Sequence, residues 1–402
     1  MSDALAPADE AGVAAAVAEA AARAEPLAVM GSATKSPMLR PVQAARGLST
    51  RSLAGITLYS PTELVIAARA GTTLAEIEAA LAERGQHLIA EPPDFSALLG
   101  TDGAQTLGGV VAANLSGPRR VAWGATRDHV LGVRAVNGEG EVIRSGGRVL
   151  KNVTGLDLCK LLSGSHGTLA VLTEITLKVL PAPERVGTLV LPGLDAEAGV
   201  RALAAALGSP YGVSGAAWLS TDAAAQIPEL APFGAPVALV RIEDFAASVS
   251  YRTARLRAEL DEQRGEIFGD AATHAVWRAI RDATPLQPEP DEAVWRVSVR
   301  PSAGPGVLHA LAHGAGARGF LDWGGGLVWL AGAGNSETHA AVEQAARQAG
   351  GVWMLLRGPE PLRAAVDVIP REAPPLARIT GRVKAAFDPK GILNPGRMYA
   401  GI

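Results

Sequence analysis

The first periodicity along the chain is helical and weak. Val13 and Val17 stand four apart in an Ala-rich run that Pro26 stops, which predicts a first helix with a narrow apolar stripe. The continuous apolar run Leu27-Ala28-Val29-Met30 then reads as a short buried strand. It breaks into the small-residue turn Gly31-Ser32-Ala33-Thr34-Lys35. Ser60-Pro-Thr-Glu63 has the form of a capping box, but Leu64-Val65-Ile66 is β-branched and Gly71 follows too soon for a helix, so 64–70 is expected to be a strand. Thr73-x-x-Glu76 is the better box. It opens a helix with Leu74, Ile77 and Leu81 on one face, and Gly85 ends it.

From 100 to 181 glycine punctuates the pattern. Val130–Val136 and Glu141–Arg144 flank Asn137-Gly-Glu-Gly140, a hairpin signal. Val171, Thr173, Ile175, Leu177 and Val179 alternate as one buried face of a strand, and Pro181 and Pro183 close the region. Beyond 184, Ala-rich helices alternate with short strands such as Val237–Ile242, Val294–Val299 and Leu327–Leu330, an α+β pattern with no visible tandem repeat. The tail is a helix, Leu376–Phe387, followed by Asp388-Pro-Lys-Gly-Ile-Leu-Asn394-Pro-Gly396. These breaks suggest an N-terminal helix (1–26), a first domain (27–183), an α+β domain (184–370) and a C-terminal segment (371–402).

Composition narrows the function. At 402 residues the chain is too long for one ordinary core, and 48% hydrophobic with 19% charged residues excludes a disordered protein. A formal charge of −3 supplies no field for nucleic acid. The single cysteine, Cys159, excludes a disulfide framework, a Cys-rich zinc site and an iron–sulfur cluster bound by this chain alone. The N-terminus is acidic, without a basic region or a Leu-rich core, which argues against a secretory signal. No apolar stretch reaches the roughly 18 residues that span a bilayer, so a cytoplasmic protein with no direct membrane span is expected.

Several chemistries are poorly supported. His309 and His313 are four apart, but no third ligand is near, so no metal is expected. Gly164-Ser-His-Gly167 only superficially resembles a nucleophile elbow, and Cys159 lies in an apolar stretch that reads as buried. The phosphate-loop sequence G-x-x-x-x-G-K-[ST] and a strand-to-helix G-x-G-x-x-G are both absent. What remains is four glycine-containing turns, at 31–35, 106–109, 116–117 and 164–168. Glycine is needed where backbone closely approaches a ligand, yet plain turns would look the same, and spacing alone leaves both readings open.

The order of motifs resolves the ambiguity through a resemblance. Ala70-Gly-Thr-Thr-Leu74, Gln86-His-Leu-Ile-Ala-Glu-Pro-Pro93, Thr106-Leu-Gly-Gly-Val-Val-Ala-Ala113, Ser116-Gly-Pro-Arg-Arg120 and Gly124-Ala-Thr-Arg-Asp-His-Val-Leu-Gly132 follow one another. They continue through Gly146–Asp157 and Ser163-Gly-Ser-His-Gly-Thr-Leu169 to the terminal Phe387–Met398. In this order they resemble the FAD-binding domain of the vanillyl-alcohol oxidase (PCMH) type, and most closely the FAD-binding E subunits of glycolate oxidase (glycolate dehydrogenase). Beyond 184 the likeness thins to Val294-Trp-Arg-Val-Ser298 and Asp322-Trp-Gly-Gly-Gly326.

The resemblance implies a two-lobed FAD-binding domain with an inserted α+β cap. It implies that Gly31, Ser32, Ala33, Thr34 and Lys35 hold the FAD pyrophosphate. Thr106, Leu107, Gly108 and Gly109, with Ser116 and Gly117, would line the nucleotide and flavin. Gly164, Ser165, Gly167 and Thr168, with the backbone near Val171, would contact the ribityl chain and adenine, and Asn394 returns from the C-terminus. Only Gly31 stands where glycine-rich versions of the first turn have two or three, which implies weakened FAD binding. No histidine or cysteine marks a covalent link, so the FAD is expected to be non-covalent. The histidine-rich metal motif of related catalytic subunits is missing, and no catalytic base is assigned. Arg296, Arg300 and Arg397 could bind a carboxylate, though surface arginines are the commoner explanation, and His129 and His166 lie in flavin-domain motifs.

The implied function is the FAD-containing subunit of a multi-subunit glycolate dehydrogenase. Its partners would be a larger FAD-containing catalytic subunit and an iron–sulfur subunit that passes electrons toward quinone. The substrate would be a small 2-hydroxy acid, and the location the cytoplasm or, through partners, the inner face of the plasma membrane. A stand-alone D-lactate-type dehydrogenase and a non-catalytic scaffold are the alternatives. Lysine usage adds a hint: all six lysines lie in the implied flavin domain or the returning tail, and none between Lys178 and Lys384. That suggests a discontinuous domain, 27–181 plus about 376–402, with 184–370 inserted.

Overall fold

The computed structural model describes residues 4–147, 156–260 and 265–401; residues 148–155 of the 146–157 motif, Lys151 among them, lie outside the described residues. The first helix, Glu10–Arg23, buries Val13, Val17 and Ala20. Its Asp9 cap accepts the Gly12 N–H at 2.8 Å. Glu10 pairs with Arg134 and accepts the Thr173 hydroxyl at 2.7 Å, so this helix is pinned to the sheet below it.

Two larger sheets and the small pair Gln86–His87 with Leu180–Pro181 build the N-terminal half. Ala4–Leu5, Arg46–Ser49 and Leu27–Met30 form a three-stranded parallel sheet in that order. Ile56–Ser60, Val65–Arg69, Ala170–Lys178, Val130–Asn137 and Val142–Gly146 form a five-stranded antiparallel one. The Ser60–Glu63 box does not open a helix: Pro61–Glu63 is a single tight turn ended by Leu64 in the left-handed region, and Ser60 caps nothing. The Thr73–Glu76 box does form, and the helix Leu74–Ala82 buries Leu74, Ile77 and Leu81.

The C-terminal half is an eight-stranded antiparallel sheet. It consists of two βαββαβ units that the sequence does not betray as repeats. In the first, strands 185–192, 213–219, 237–244 and 266–268 are interleaved with helices 196–207 and 246–259. In the second, strands 292–298, 318–322, 327–333 and 352–357 are interleaved with helices 304–315 and 336–348. Each unit has the spatial strand order fourth, first, third, second, and the two second strands join antiparallel through Trp218–Leu321 and Leu219–Phe320. The repeat lies in topology alone, because each unit needs only alternating apolar positions and not the same side chains.

The chain then returns to the first half. Leu27 bridges Leu393 in parallel, and the Leu27 N–H donates to the Ile392 carbonyl at 2.7 Å. Lys384, the one buried residue of helix Pro374–Phe387, donates to Asp388 and to the Thr168 carbonyl, both at 2.7 Å. Asp388 packs so closely on the hairpin that a Cβ at Gly138 would lie 2.5 Å from its Oδ1, so that turn position must be glycine.

Four charged side chains lock the halves by exchange. Arg119 of the first half grips Glu243 of the second at 2.7 and 3.1 Å, while Arg241 of the second grips Glu91 of the first at 2.9 Å through both nitrogens. Burial alone would raise the Glu243 carboxyl, but Arg241 and Arg119 outweigh it and hold the group down to about 2. A carboxylate with a lowered folded-state pKa gives its full stability above the ordinary value of 4.5 and loses it as pH falls toward 2. Chemical denaturation should therefore show Glu243→Gln losing about 3 kcal/mol at pH 7, the cost of leaving Arg119 uncompensated. The deficit relative to wild type should shrink as pH falls from 4.5 toward 2.

Candidate functional site

The first strand ends at Met30, and the chain turns in a loop whose shape suits an anion. Ala33 sits in the left-handed region at φ 58°, and the N–H groups of Ser32, Ala33, Thr34 and Lys35 donate to no acceptor among the described residues. Successive free N–H groups around one left-handed residue form a concave nest of positive charge. The loop has one glycine because only one place demands it: a Cβ at Gly31 would meet the Thr106 hydroxyl at 2.2 Å. Thr106 in turn caps the short helix Leu107–Ala113 by accepting the Gly109 N–H.

This loop borders a cavity of about 220 Å³ lined by residues 28–36, Thr106, Gly109, His166, Glu360, Arg363, Asn394 and Arg397. A smaller hollow of about 60 Å³ adjoins it, floored by Gly108, Gly109 and Gly167. Asn394 makes the far wall. Its Oδ1 accepts the Val29 N–H at 2.7 Å, and its Nδ2 donates to the carbonyls of His166 (2.8 Å) and Val29 (3.2 Å).

The cavity is cationic. Lys35 Nζ reaches Gln105 Oε1 at 3.1 Å and has no carboxylate in contact; burial lowers it to about 8, partly offset by Asp94. Arg397 donates to the carbonyls of Lys35 (2.6 Å), Ser36 (2.9 Å) and Arg40 (3.0 Å), and so holds the loop from behind. Burial and the neighbouring Arg363 lower it to about 10, leaving it charged. Burial, then Arg397, pushes His166 down to about 3, so its ring is neutral. Three cations face one acid, Glu360. Such a site takes a compact anion with several oxygens.

Of the residues implied by the sequence, Gly31 to Lys35, Thr106, Gly109 and Asn394 share this cavity, with Gly108 and Gly167 on the adjoining floor. Leu107 is buried in the core beneath it. Gly164, Ser165 and Thr168 open on another hollow, beside Ile379 and Met398. Ser116 bonds to Thr126 of the following turn, and Gly117 lies against Trp323 between the halves. Val171 points into the apolar cluster under the first helix. Arg363 and Glu360 were not foreseen, because they come from helix Glu360–Ala365 and no local pattern ties them to the loop. Arg397 is not a surface arginine, whereas Arg300 is exposed. His129 stands apart from the cavity with its Nε2 buried and unpartnered, and Cys159 is buried.

Comparison with known proteins agrees with this geometry. Residues 3–146 match a family model described as an FAD binding domain. The chain is 34% identical over 380 residues to the glycolate oxidase subunit GlcE of Escherichia coli (strain K12), covering 93% of each chain. It is 41% identical over 99 residues to the glycolate oxidase subunit GlcD of Bacillus subtilis (strain 168), covering 25% of this chain and 20% of that one. In three dimensions it resembles 4-ethylphenol oxidase from Gulosibacter chungangensis, with a TM-score of 0.70 at 12% identity over 98% of this chain and 88% of the other. The fold is therefore α+β of the PCMH type, and FAD is the cofactor.

Lys35 generates a prediction. Its ammonium is charged below about pH 8 and neutral above, so anion affinity should fall as pH rises through that value. Calorimetric titration of the flavin-free chain with ADP, which carries the same pyrophosphate, should give weaker binding at pH 9 than at pH 7. In Lys35→Met the affinity at pH 7 should fall about tenfold, and most of the pH dependence should disappear.

Proposed function

The chain belongs to the family of FAD-binding glycolate oxidase subunits, and from that premise we propose that it is the flavin-carrying subunit of a multi-subunit 2-hydroxy-acid dehydrogenase, acting on glycolate. The observation that carries this reading is the end-to-end likeness to one such subunit, 93% of both chains. In the proposal the nest at 32–35 cradles the FAD pyrophosphate, Lys35, Arg363 and Arg397 neutralise it, and Asn394 closes the wall behind it. FAD supplies the capacity to accept the pair of electrons removed from the alcohol carbon. The residues of this chain bind and orient it, non-covalently, in a cavity whose one histidine is neutral and too weakly basic to take up the hydroxyl proton efficiently.

Two features support assembly with partners. One cysteine cannot hold an iron–sulfur cluster, so an iron–sulfur relay for electrons leaving the flavin would have its cluster on another chain. The tail helix buries only Lys384 and leaves Leu376 and Ile379 more than half exposed, an apolar face that a partner subunit would cover. No helix among the described residues is long and apolar enough to cross a membrane, so contact with a membrane acceptor would run through partners.

The test is expression of the chain alone and together with the products of neighbouring genes. The chain alone is expected to be yellow, with one FAD released on denaturation, and unable to reduce a dye with glycolate. The co-purified complex should reduce it. Turnover of glycolate or D-lactate by the chain alone would replace this reading with that of a stand-alone dehydrogenase.

A further inference from the structure

The FAD cavity does not account for all the cations partly withdrawn from solvent. Arg296, on strand Glu292–Ser298, places its guanidinium 5.5 Å from the Trp323 ring centre and 5.1 Å from that of Trp329. Its Nε is sealed from solvent and has no hydrogen-bond partner. Arg120, from the opposite half, lies 4.8 Å over the same Trp323 ring. Among the described residues neither arginine forms an ion pair or a side-chain hydrogen bond. Other interior arginines are satisfied: Arg119 and Arg241 by carboxylates, Arg363 and Arg397 by backbone carbonyls.

Two guanidinium groups gathered on one indole repel each other and give up part of their hydration, which is unfavourable unless something compensates. Stacking on tryptophan returns only part of that. Asp322 faces Arg296 and Asp128 faces Arg120, but neither forms an ion pair with its arginine. Asp322 turns its Oδ1 to the Trp323 N–H at 2.7 Å, and burial pushes its carboxyl up to about 7. Burial first, then repulsion from Arg120, lowers Arg296 to about 10, which leaves it charged near neutrality.

The tryptophan platform is tied to both halves. Trp323 is held in the left-handed region at φ 52°, and its indole N–H donates to the Gly117 carbonyl at 3.3 Å. Trp329 meets Phe95 edge-on at 5.7 Å. Two tryptophan rings and two unpaired guanidinium groups thus converge from four separate elements.

We propose that Arg296 and Arg120, walled by Trp323 and Trp329, form a carboxylate-binding site for a short organic acid of the 2-hydroxy- or 2-oxo-acid class, carried by this chain itself. A guanidinium fork matches a carboxylate with two parallel hydrogen bonds, and flat aromatic walls accept a short carbon skeleton. The anionic part of FAD is already provided for at the 31–35 loop, so this second cationic site is left for a different anion. The naming of the acid class rests on the proposed function; the anion site itself rests on the geometry.

The experiment titrates the flavin-loaded chain with oxalate, glycolate and phosphate, following tryptophan fluorescence. Oxalate and glycolate should quench it saturably, while phosphate at equal concentration should not. Arg296→Gln and Arg120→Gln should each weaken binding about ten- to a hundredfold. Arg296→Lys, which keeps the charge but loses the fork, should fall between, with flavin content and melting temperature unchanged. The proposal is overturned if carboxylates give no saturable signal, if phosphate binds equally well, or if Arg296→Lys and Arg296→Gln bind like wild type. A chain that purifies without flavin contradicts the proposed function instead, and the same fluorescence titration then decides the carboxylate site in the flavin-free protein.

Discussion

The Asn394 carboxamide is bonded at once to the first strand, through both the N–H and the carbonyl of Val29, and to the 164–168 turn, through the His166 carbonyl. Its own backbone N–H donates to Leu27. One side chain from the end of the sequence thus fixes the spacing of two segments that lie more than a hundred residues apart. Arg397 continues the same work by gripping three carbonyls behind the anion loop. The Lys384–Asp388 pair anchors the turn that delivers both residues. Without the returning tail, the loop at 31–35 would keep its free N–H groups but lose its far wall.

Cations withdrawn wholly or partly from solvent fall into three kinds by what meets them. Arg119 and Arg241 are matched by carboxylates and hold the halves together. Arg363 and Arg397 are met by carbonyls, Lys384 by carbonyls and Asp388 together, and they hold loops. Lys35, Arg120 and Arg296 have no acid in contact, and their pKa values are lowered chiefly by burial. Partly buried charges left without an acid partner are the places where an incoming anion gains most.

Much of this was legible in the residues. The apolar run before Gly31, the capping box at Thr73 and the alternation after Val171 all became the elements their spacing implied, because local geometry and core burial favour the same outcome there. The tail motif around Asn394 could be tied to flavin binding only through resemblance, since nothing local says that it pairs with residue 27. Other features were hidden. The two βαββαβ units share a topology without sharing a side-chain pattern. An arginine in a strand reads as a surface residue, and Arg296 proves otherwise only when Trp323, Trp329 and Arg120 converge from three other elements. The low glycine content of the first turn suggested weakened cofactor binding, yet Ala33 reaches the left-handed region without glycine and only Gly31 faces a close approach.

The claim that the tail's return builds the flavin cavity is tested most directly by flavin content in Asn394→Ala. The substitution leaves the Val29 N–H and the His166 carbonyl without this partner, at a cost of about 1–3 kcal/mol each, while leaving the core untouched. The account predicts a chain that still unfolds cooperatively but loses FAD on gel filtration, with rebinding weakened at least about tenfold. Retention of one FAD per chain at wild-type affinity would contradict it.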